Sequence, residues 1–386
     1  MFKLKKSWLL VFTAVLLAVF AVGCPAAEEE QGEEGAFEGQ VKIGIMVPTT
    51  GAQAEPGLDM ENAIKLAVSE INAAGGLLGH EIITVTGDDG CDPAMATAAA
   101  SKLVAEEVVA VVGGFCSGAT LPTLKIYGEA SIPFTIAASN ATTLIDEIAA
   151  TGGWAFMINS TGDQQATKAV EQFEALGAET IALIDDGSAF ARDLSAQTKT
   201  QWEAAGNQVT SEETVVPGML DFSSLVTSIV ATNPDGIYWT GYHSEGGPLV
   251  RQLREGGYEG VIMVGDGSSS VETLTLAGPL SEGIFCTAPP KVEFLPAAAA
   301  FIDSYEAMFP RPPGAYAGLA YDAMMLMADA IERAGSFDGA AIKEALSATA
   351  DFEGLAGAIT FTERNTLARS NFVILEGQNL SWVPVQ

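Results

Sequence analysis

The sequence predicts an α/β protein built as two Rossmann-like, doubly wound lobes. Three observations carry that expectation. Short apolar runs alternate with helical periodicity from residue 41 to about 160. The pattern then restarts and repeats at similar length to about residue 265. A C-terminal third of three helices followed by three strands must complete one lobe or the other, so the chain crosses between lobes more than once. The composition agrees, because 386 residues with 48% hydrophobic and 17% charged side chains can bury a core and favour two domains over one.

The elements begin with an export signal. Met1 to Lys6 carries three lysines, and residues 7–23 contain no charge. A basic segment followed by an apolar one reads as a secretory signal. A membrane anchor is the competing reading, and about 17 apolar residues is the short limit for spanning a bilayer. Ala21-Val22-Gly23-Cys24 decides between them, because small residues before a cysteine resemble a bacterial lipoprotein processing site. Ala21 stands where leucine is commonest. The expectation is a signal peptide over 1–23, a lipid on Cys24, and a tether over 24–40. Glu28-Glu29-Glu30, Glu33 and Glu34 make that tether solvated and unable to bury a core.

The body follows. Val41 to Val47 is a buried strand ending at Pro48. Met60, Ile64, Ala67, Val68 and Ile71 mark a helix over 57–73, which Gly75-Gly76 stops. Glu81 to Thr86 is a strand, and Asp92 caps a helix opening at Pro93. Val108 to Val112 and Ile132 to Ala137 are the next strands. In the second set, strands fall at Thr180 to Ile184, Val209 to Val216, Gly236 to Thr240 and Val261 to Gly265, with a helix through Leu194 to Ala205. Helices over 297–309, 315–334 and 339–350 precede strands at 358–361, 371–376 and 380–385. An alternating β/α order implies parallel sheets covered on both faces.

The formal charge of −31 excludes nucleic acid as a partner, since phosphates would be repelled. That acidity suits a chain working in strong salt and equally an ordinary solvated surface. Cys91 and Cys116 sit in loops after strands, where an exported chain can oxidise them, and Cys286 lies in an apolar run as a buried free thiol. His80 and His243 have no partner at ligand spacing and no CxxC exists, so neither a metal nor any cofactor is expected. Asp88-Asp89 and Asp185-Asp186 follow strands and are expected as solvated caps rather than metal ligands. Gly114 to Gly118 is not GxSxG, and Gly113-Gly114 is not followed by GK[ST]; with no nucleophile–base pair in view, an enzyme is not expected.

The segment Val111-Val112-Gly113-Gly114-Phe115-Cys116-Ser117-Gly118 is the informative one. A strand ends at glycines and a hydroxyl residue opens a helix. Ligands of open α/β sheets bind beyond the carboxyl ends of the strands, and a helix N-terminus offers free N–H groups to a carboxylate or phosphate. Ser117 reads either as a hydroxyl donor to such a ligand or as a plain helix cap.

Ile71-Asn72-Ala73-Ala74-Gly75-Gly76-Leu77-Leu78-Gly79 resembles the INxxGGxxG motif of type I periplasmic binding proteins. Asp88-Asp89-Gly90-Cys91-Asp92-Pro93, Cys116-Ser117 and Tyr238-Trp239-Thr240-Gly241-Tyr242-His243 continue the likeness in order. The span from Val41 to Val385 is similar to the leucine/isoleucine/valine-binding proteins of branched-chain amino-acid ABC importers. The resemblance implies three crossovers, near 158–160, 287–290 and 361–362. Lobe 1 would comprise 41–158 plus 290–361, and lobe 2 would comprise 159–289 plus 362–386. It also implies a disulfide between Cys91 and Cys116.

Carried over position by position, the resemblance implies a ligand site. Ser117 would bind the ligand carboxylate. Ala138, Ser139 and Asn140 would hold carboxylate and amine, with Asn140 replacing a threonine. Phe190 would cover the ligand where tyrosine is frequent, beside Tyr242. Asp266, one methylene shorter than the usual glutamate, would accept the ammonium, and Pro56 would replace a tyrosine over the side-chain pocket. The implied function is that of an extracytoplasmic, lipid-anchored binding protein delivering a branched-chain-like amino acid to an ABC permease. The same fold binding an amide, urea or aromatic carboxylate, or serving as a ligand sensor, is the alternative.

Overall fold

The computed structural model describes residues 37–385; the export segment, Cys24 and the tether up to residue 36 lie outside the described residues. Two separate sheets, the first parallel and the second mixed, organise the chain. The first contains β1 (Gly39–Val47), β2 (His80–Asp88), β3 (Ala110–Gly113), β4 (Phe134–Ile136) and β5 (Ala155–Met157), in the order β2-β1-β3-β4-β5. Helices α1 (Ala54–Ala73), α2 (Pro93–Ala105), α3 (Ser117–Ala130) and α4 (Thr142–Ala150) connect them.

Local chemistry accounts for the ends of these helices. Asp92 accepts hydrogen bonds from the Ala94 and Met95 amides and starts α2 ahead of Pro93. α1 stops at Gly75-Gly76, both at positive φ, and a Cβ on Gly76 would collide with the His80 carbonyl. α1 opens three residues before the expected Gly57.

The second sheet takes β6 (Thr180–Asp185), β7 (Gln208–Thr214), β8 (Gly236–Trp239), β9 (Val261–Val264) and β10 (Phe285–Ala288). Helices α5 (Gly162–Ala175), α6 (Ala189–Ala204), α7 (Ser223–Thr232), α8 (His243–Glu255) and α9 (Val271–Ala277) accompany it. The C-terminal third divides. α10 (Ala299–Met308), α11 (Ala317–Ala334), α12 (Gly339–Ser347) and a short hairpin, β11 (Phe352–Gly354) with β12 (Gly357–Ile359), return to the first lobe. There the Thr135 hydroxyl donates to the Ala323 carbonyl of α11. The last strands, β13 (Val373–Gln378) and β14 (Ser381–Pro384), add antiparallel to β10 and complete a seven-stranded second sheet.

The chain therefore passes between the sheets three times, at 158–161, 289–298 and 360–372. Three strands differ from the sequence expectation, one of them β10, whose residues read in the sequence only as an apolar run around Cys286. β5 and β11 are three residues each, too short to show a period, and neither was predicted. The acid pairs also differ. Asp89, Asp185 and Asp186 are buried rather than solvated, because each accepts backbone amides of its own turn: Cys91 on Asp89, Gly187 on Asp185 and Ser188 on Asp186.

Candidate functional site

On the first lobe, β3 ends at Gly113-Gly114, both at positive φ, and a Cβ on Gly113 would strike the Met46 carbonyl. The chain turns there into Cys116, which is disulfide-bonded to Cys91 with the Cα atoms 5.4 Å apart. Cys286 is free and buried. Cys116, not Ser117, occupies the position before α3, so the Ser117 hydroxyl is not the helix cap. Instead Ser117 Oγ accepts from the amides of Asn140 and Ala141, at 3.3 and 3.2 Å, and holds the turn after β4 against the head of α3. Those bonds use its lone pairs and leave its hydrogen free to donate.

The turn after β4 carries the other first-lobe positions. The Ala138 carbonyl accepts from Asn159 Nδ2 at 2.9 Å. Ser139 Oγ bonds to Thr120 Oγ1 at 2.7 Å inside the lobe, and only its backbone faces the turn. Asn140 points across to the second lobe, where its Nδ2 donates to Asp266 Oδ2 at 3.1 Å and to Gln165 Oε1 at 3.1 Å.

On the second lobe, Asp186 Oδ2 accepts the Tyr242 amide at 3.1 Å and brings the head of α8 beside the head of α6. Phe190 and Tyr242 consequently lie with ring centroids 5.4 Å apart. Phe115 stacks at 5.9 Å from Tyr242 and edge-on at 5.1 Å from Tyr316. Gly267 lets the rings close in, since a Cβ there would be 2.8 Å from Phe190 and 3.0 Å from Tyr242. Tyr316 also donates from its hydroxyl to the Asp266 carbonyl at 2.8 Å.

One cavity is lined by Phe115, Ala138, Asn140, Phe190, Tyr242, Asp266, Gly267 and Tyr316. The structure thus gathers five of the expected positions, Ala138, Asn140, Phe190, Tyr242 and Asp266, around one space, while Ser117 and Ser139 are not among the residues that line it. Pro56 lines a neighbouring cavity with Glu55, Asp59 and His243. Sequence reasoning missed Phe115, Gly267, Tyr316 and Asn159. Phe115 could have been found, because it follows the double glycine directly. Tyr316 carried no comparable signal.

Asp266 is distinguished by an open acceptor. It is 2% exposed, and burial pushes its carboxyl up to about 6. Oδ2 accepts from Asn140 and, at 3.4 Å, from Asn159, whereas Oδ1 is buried with no partner. A buried carboxylate with an open acceptor site is costly until a cation meets it. Burial also raises the Tyr242 and Tyr316 hydroxyls well above their ordinary range, so both stay protonated. Among the described residues no group of three His, Cys, Asp or Glu is placed to hold a metal ion, and no helix is long and apolar enough to cross a membrane.

Comparison with known proteins identifies relatives of the whole described chain. The family model described as "Periplasmic binding protein" matches residues 40–379. The leucine-, isoleucine-, valine-, threonine- and alanine-binding protein of Pseudomonas aeruginosa is 31% identical over 370 residues, covering 95% of this chain and 94% of that protein. Among solved structures, a leucine-binding protein from Thermotoga maritima superposes with a TM-score of 0.82 at 29% identity, covering 90% of this chain and 98% of that one. The branched-chain amino acid transporter substrate-binding protein of Streptococcus pneumoniae, in complex with isoleucine, gives 0.81 at 28% identity, covering 89% and 97%. A solute-binding protein from Rhodopseudomonas palustris in complex with benzoate shares the fold, with a TM-score of 0.80 at 21% identity over 90% and 95% of the two chains.

Proposed function

The chain belongs to the periplasmic binding protein family, and from that premise we propose that it captures an amino acid of the branched-chain type between its lobes and delivers it to an ABC importer. The family consists of binding proteins of transporters, so no chemical step and no cofactor is part of this reading. Its place of work is outside the cytoplasm, and Cys24 would hold it to the membrane by a lipid.

The observation that carries the reading is the unpartnered Oδ1 of Asp266 in a cavity walled by aromatic rings. A ligand ammonium satisfies that oxygen through a charge-assisted bond. The ligand carboxylate goes to the opposite face, where the Ser117 hydroxyl and the amides at the head of α3 are donors. The Ala138 carbonyl is a second acceptor for the ammonium. Phe115, Phe190, Tyr242 and Tyr316 surround an apolar side chain. The binding specificities of the relatives support the same class.

The four rings favour one other reading, an aromatic carboxylate without an amine. Calorimetry on the purified protein separates the two. L-Leucine, L-isoleucine and L-threonine should bind and benzoate should not. Asp266→Asn should weaken amino-acid binding by about 2–5 kcal/mol, the range for breaking a buried charge pair. An Asp266→Asn protein that binds amino acids as tightly as wild type would remove the proposal; benzoate binding that survives the substitution would replace it.

A further inference from the structure

Asn159 lies in the first passage between the sheets, away from the motifs that carry the resemblance. It is fully buried. Its Oδ1 accepts the Ser160 amide at 3.0 Å, which aims its NH2 group at two acceptors. One is the Ala138 carbonyl at 2.9 Å, on the first lobe. The other is Asp266 Oδ2 at 3.4 Å, on the second. The passage itself is fixed, because the Ser160 hydroxyl donates to Asn371 Oδ1 at 2.6 Å and accepts the Asn371 amide at 2.7 Å, tying the first passage to the third.

We propose that Asn159 is a positioning residue for ligand recognition, a carboxamide in the hinge that bridges Ala138 of one lobe to Asp266 of the other. The proposal rests on the reading of Asp266 as the ammonium acceptor. With Asn140, Asn159 occupies Oδ2 and leaves Oδ1 as the one oxygen that faces the ligand. Burial favours the acid form of Asp266, and Gln165, Tyr316, Asn159 and Asn140 together oppose it by favouring the carboxylate. The titratable groups facing Asp266 from the packed elements are Tyr238 of β8, Tyr242 at the head of α8, Cys286 of β10 and Tyr316 ahead of α11. Burial raises all four, so none carries charge near neutrality, and Asp266 is the group there whose charge changes near pH 6. Because the Asn159 side chain spans the hinge, the charge state of the site is linked to the lobes being together.

The test uses the purified full-length protein, labelled with carboxyl-13C aspartate, with the Asp266 signal identified by its absence in Asp266→Asn. Wild type should titrate near pH 6 without ligand. Asn159→Leu, which removes the donor, should move that midpoint to higher pH by roughly one. Asn159→Asp, which keeps the size and adds a like charge, should move it further. An unmoved midpoint in either folded variant would overturn the proposal, whatever the ligand. L-Leucine affinity should then fall about twofold at pH 7 in Asn159→Leu, approach a roughly tenfold loss near pH 5, and recover toward about pH 8.5. A loss equal at every pH would mark a merely structural role and also overturn it. Should the midpoint move while wild type binds no amino acid, the positioning role stands and the amino-acid reading alone falls.

Discussion

Two buried aspartates in this protein have the same acidity and opposite roles. Asp266 and Asp322 are each 2% exposed, and burial pushes both carboxyls up to about 6. Asp322, on α11, has both oxygens occupied: Oδ1 accepts the Leu355 amide at 2.8 Å and Oδ2 the Ala356 amide at 3.0 Å. It pins the β11–β12 hairpin to the first lobe. Asp266 has one oxygen occupied by two carboxamides and one with nothing. A shifted acidity therefore does not locate a binding site here; an unfilled acceptor does.

The comparison breaks if the two respond alike to substitution. Asp322→Ala removes the acceptor of two half-buried amides, each bond to the charged carboxylate worth about 2 kcal/mol, so the fold should lose up to about 4 kcal/mol. Chemical denaturation measures it. Amino-acid affinity at a temperature where the variant is folded should stay within about twofold of wild type, because Asp322 lies outside the ligand cavity. A variant that keeps its stability and loses its ligand would reverse the roles assigned to the two residues.

Asp266→Asn should act in the other direction on the ligand-free protein. The folded carboxyl titrates near 6 and the unfolded one near 4, so the folded state binds more protons between those values. Its contribution is complete below pH 4 and is lost as pH rises through 6. The loss amounts to up to about 3 kcal/mol, from the roughly two pH separating the states. Asp266→Asn should remove that part of the slope and melt higher than wild type at pH 8. Asp322 and Asp89, whose carboxyl burial raises to about 7, leave the rest of the slope in place. Ligand binding has the reverse dependence, since an ammonium needs the ionised acid: affinity should rise as pH climbs through 6. If the variant melts lower than wild type at pH 8, Oδ1 is not an open acceptor.

The contrast also separates what the sequence reveals from what it hides. Most sheet strands were legible, because apolar runs such as Val41 to Val47 end at Pro or Gly and are buried on both faces. The cap at Asp92 and the stop at Gly75-Gly76 were legible for the same local reason. The site was legible in pieces. The helix head after Gly113-Gly114 follows from local chemistry, whereas Phe190, Tyr242 and Asp266 were reached through resemblance. Asn159, Tyr316 and Asp322 escaped both routes. Their partners lie at Ala138 and Asp266, at Asp266, and at Leu355 and Ala356, and no periodicity encodes contacts set by where three inter-sheet passages place two lobes. The buried acid pairs were misjudged as solvated because a turn's own amides leave no mark in composition.

Ser117 lies between the two aspartates in character, and its substitution should have the smallest effect. Like Asp322 it accepts two backbone amides, but at 3.3 and 3.2 Å those bonds are long. Like Asp266 it keeps one function open, the hydroxyl hydrogen. Ser117→Ala deletes that donor while the amides of α3 still face the ligand carboxylate, so affinity for L-leucine should fall by only about 1–2 kcal/mol. The freed amides of Asn140 and Ala141 can turn toward the same carboxylate, which holds the cost at the lower end. Ser117→Thr keeps the hydroxyl and adds a methyl at a position 2% exposed, where space rather than hydrogen bonding would limit binding. Calorimetry on both variants against L-leucine and the amine-free 4-methylpentanoate resolves the contribution. Ser117→Ala should weaken both ligands equally, because both present a carboxylate. A loss confined to L-leucine would put the ammonium, not the carboxylate, at the head of α3, and would exchange the two faces of the proposed site.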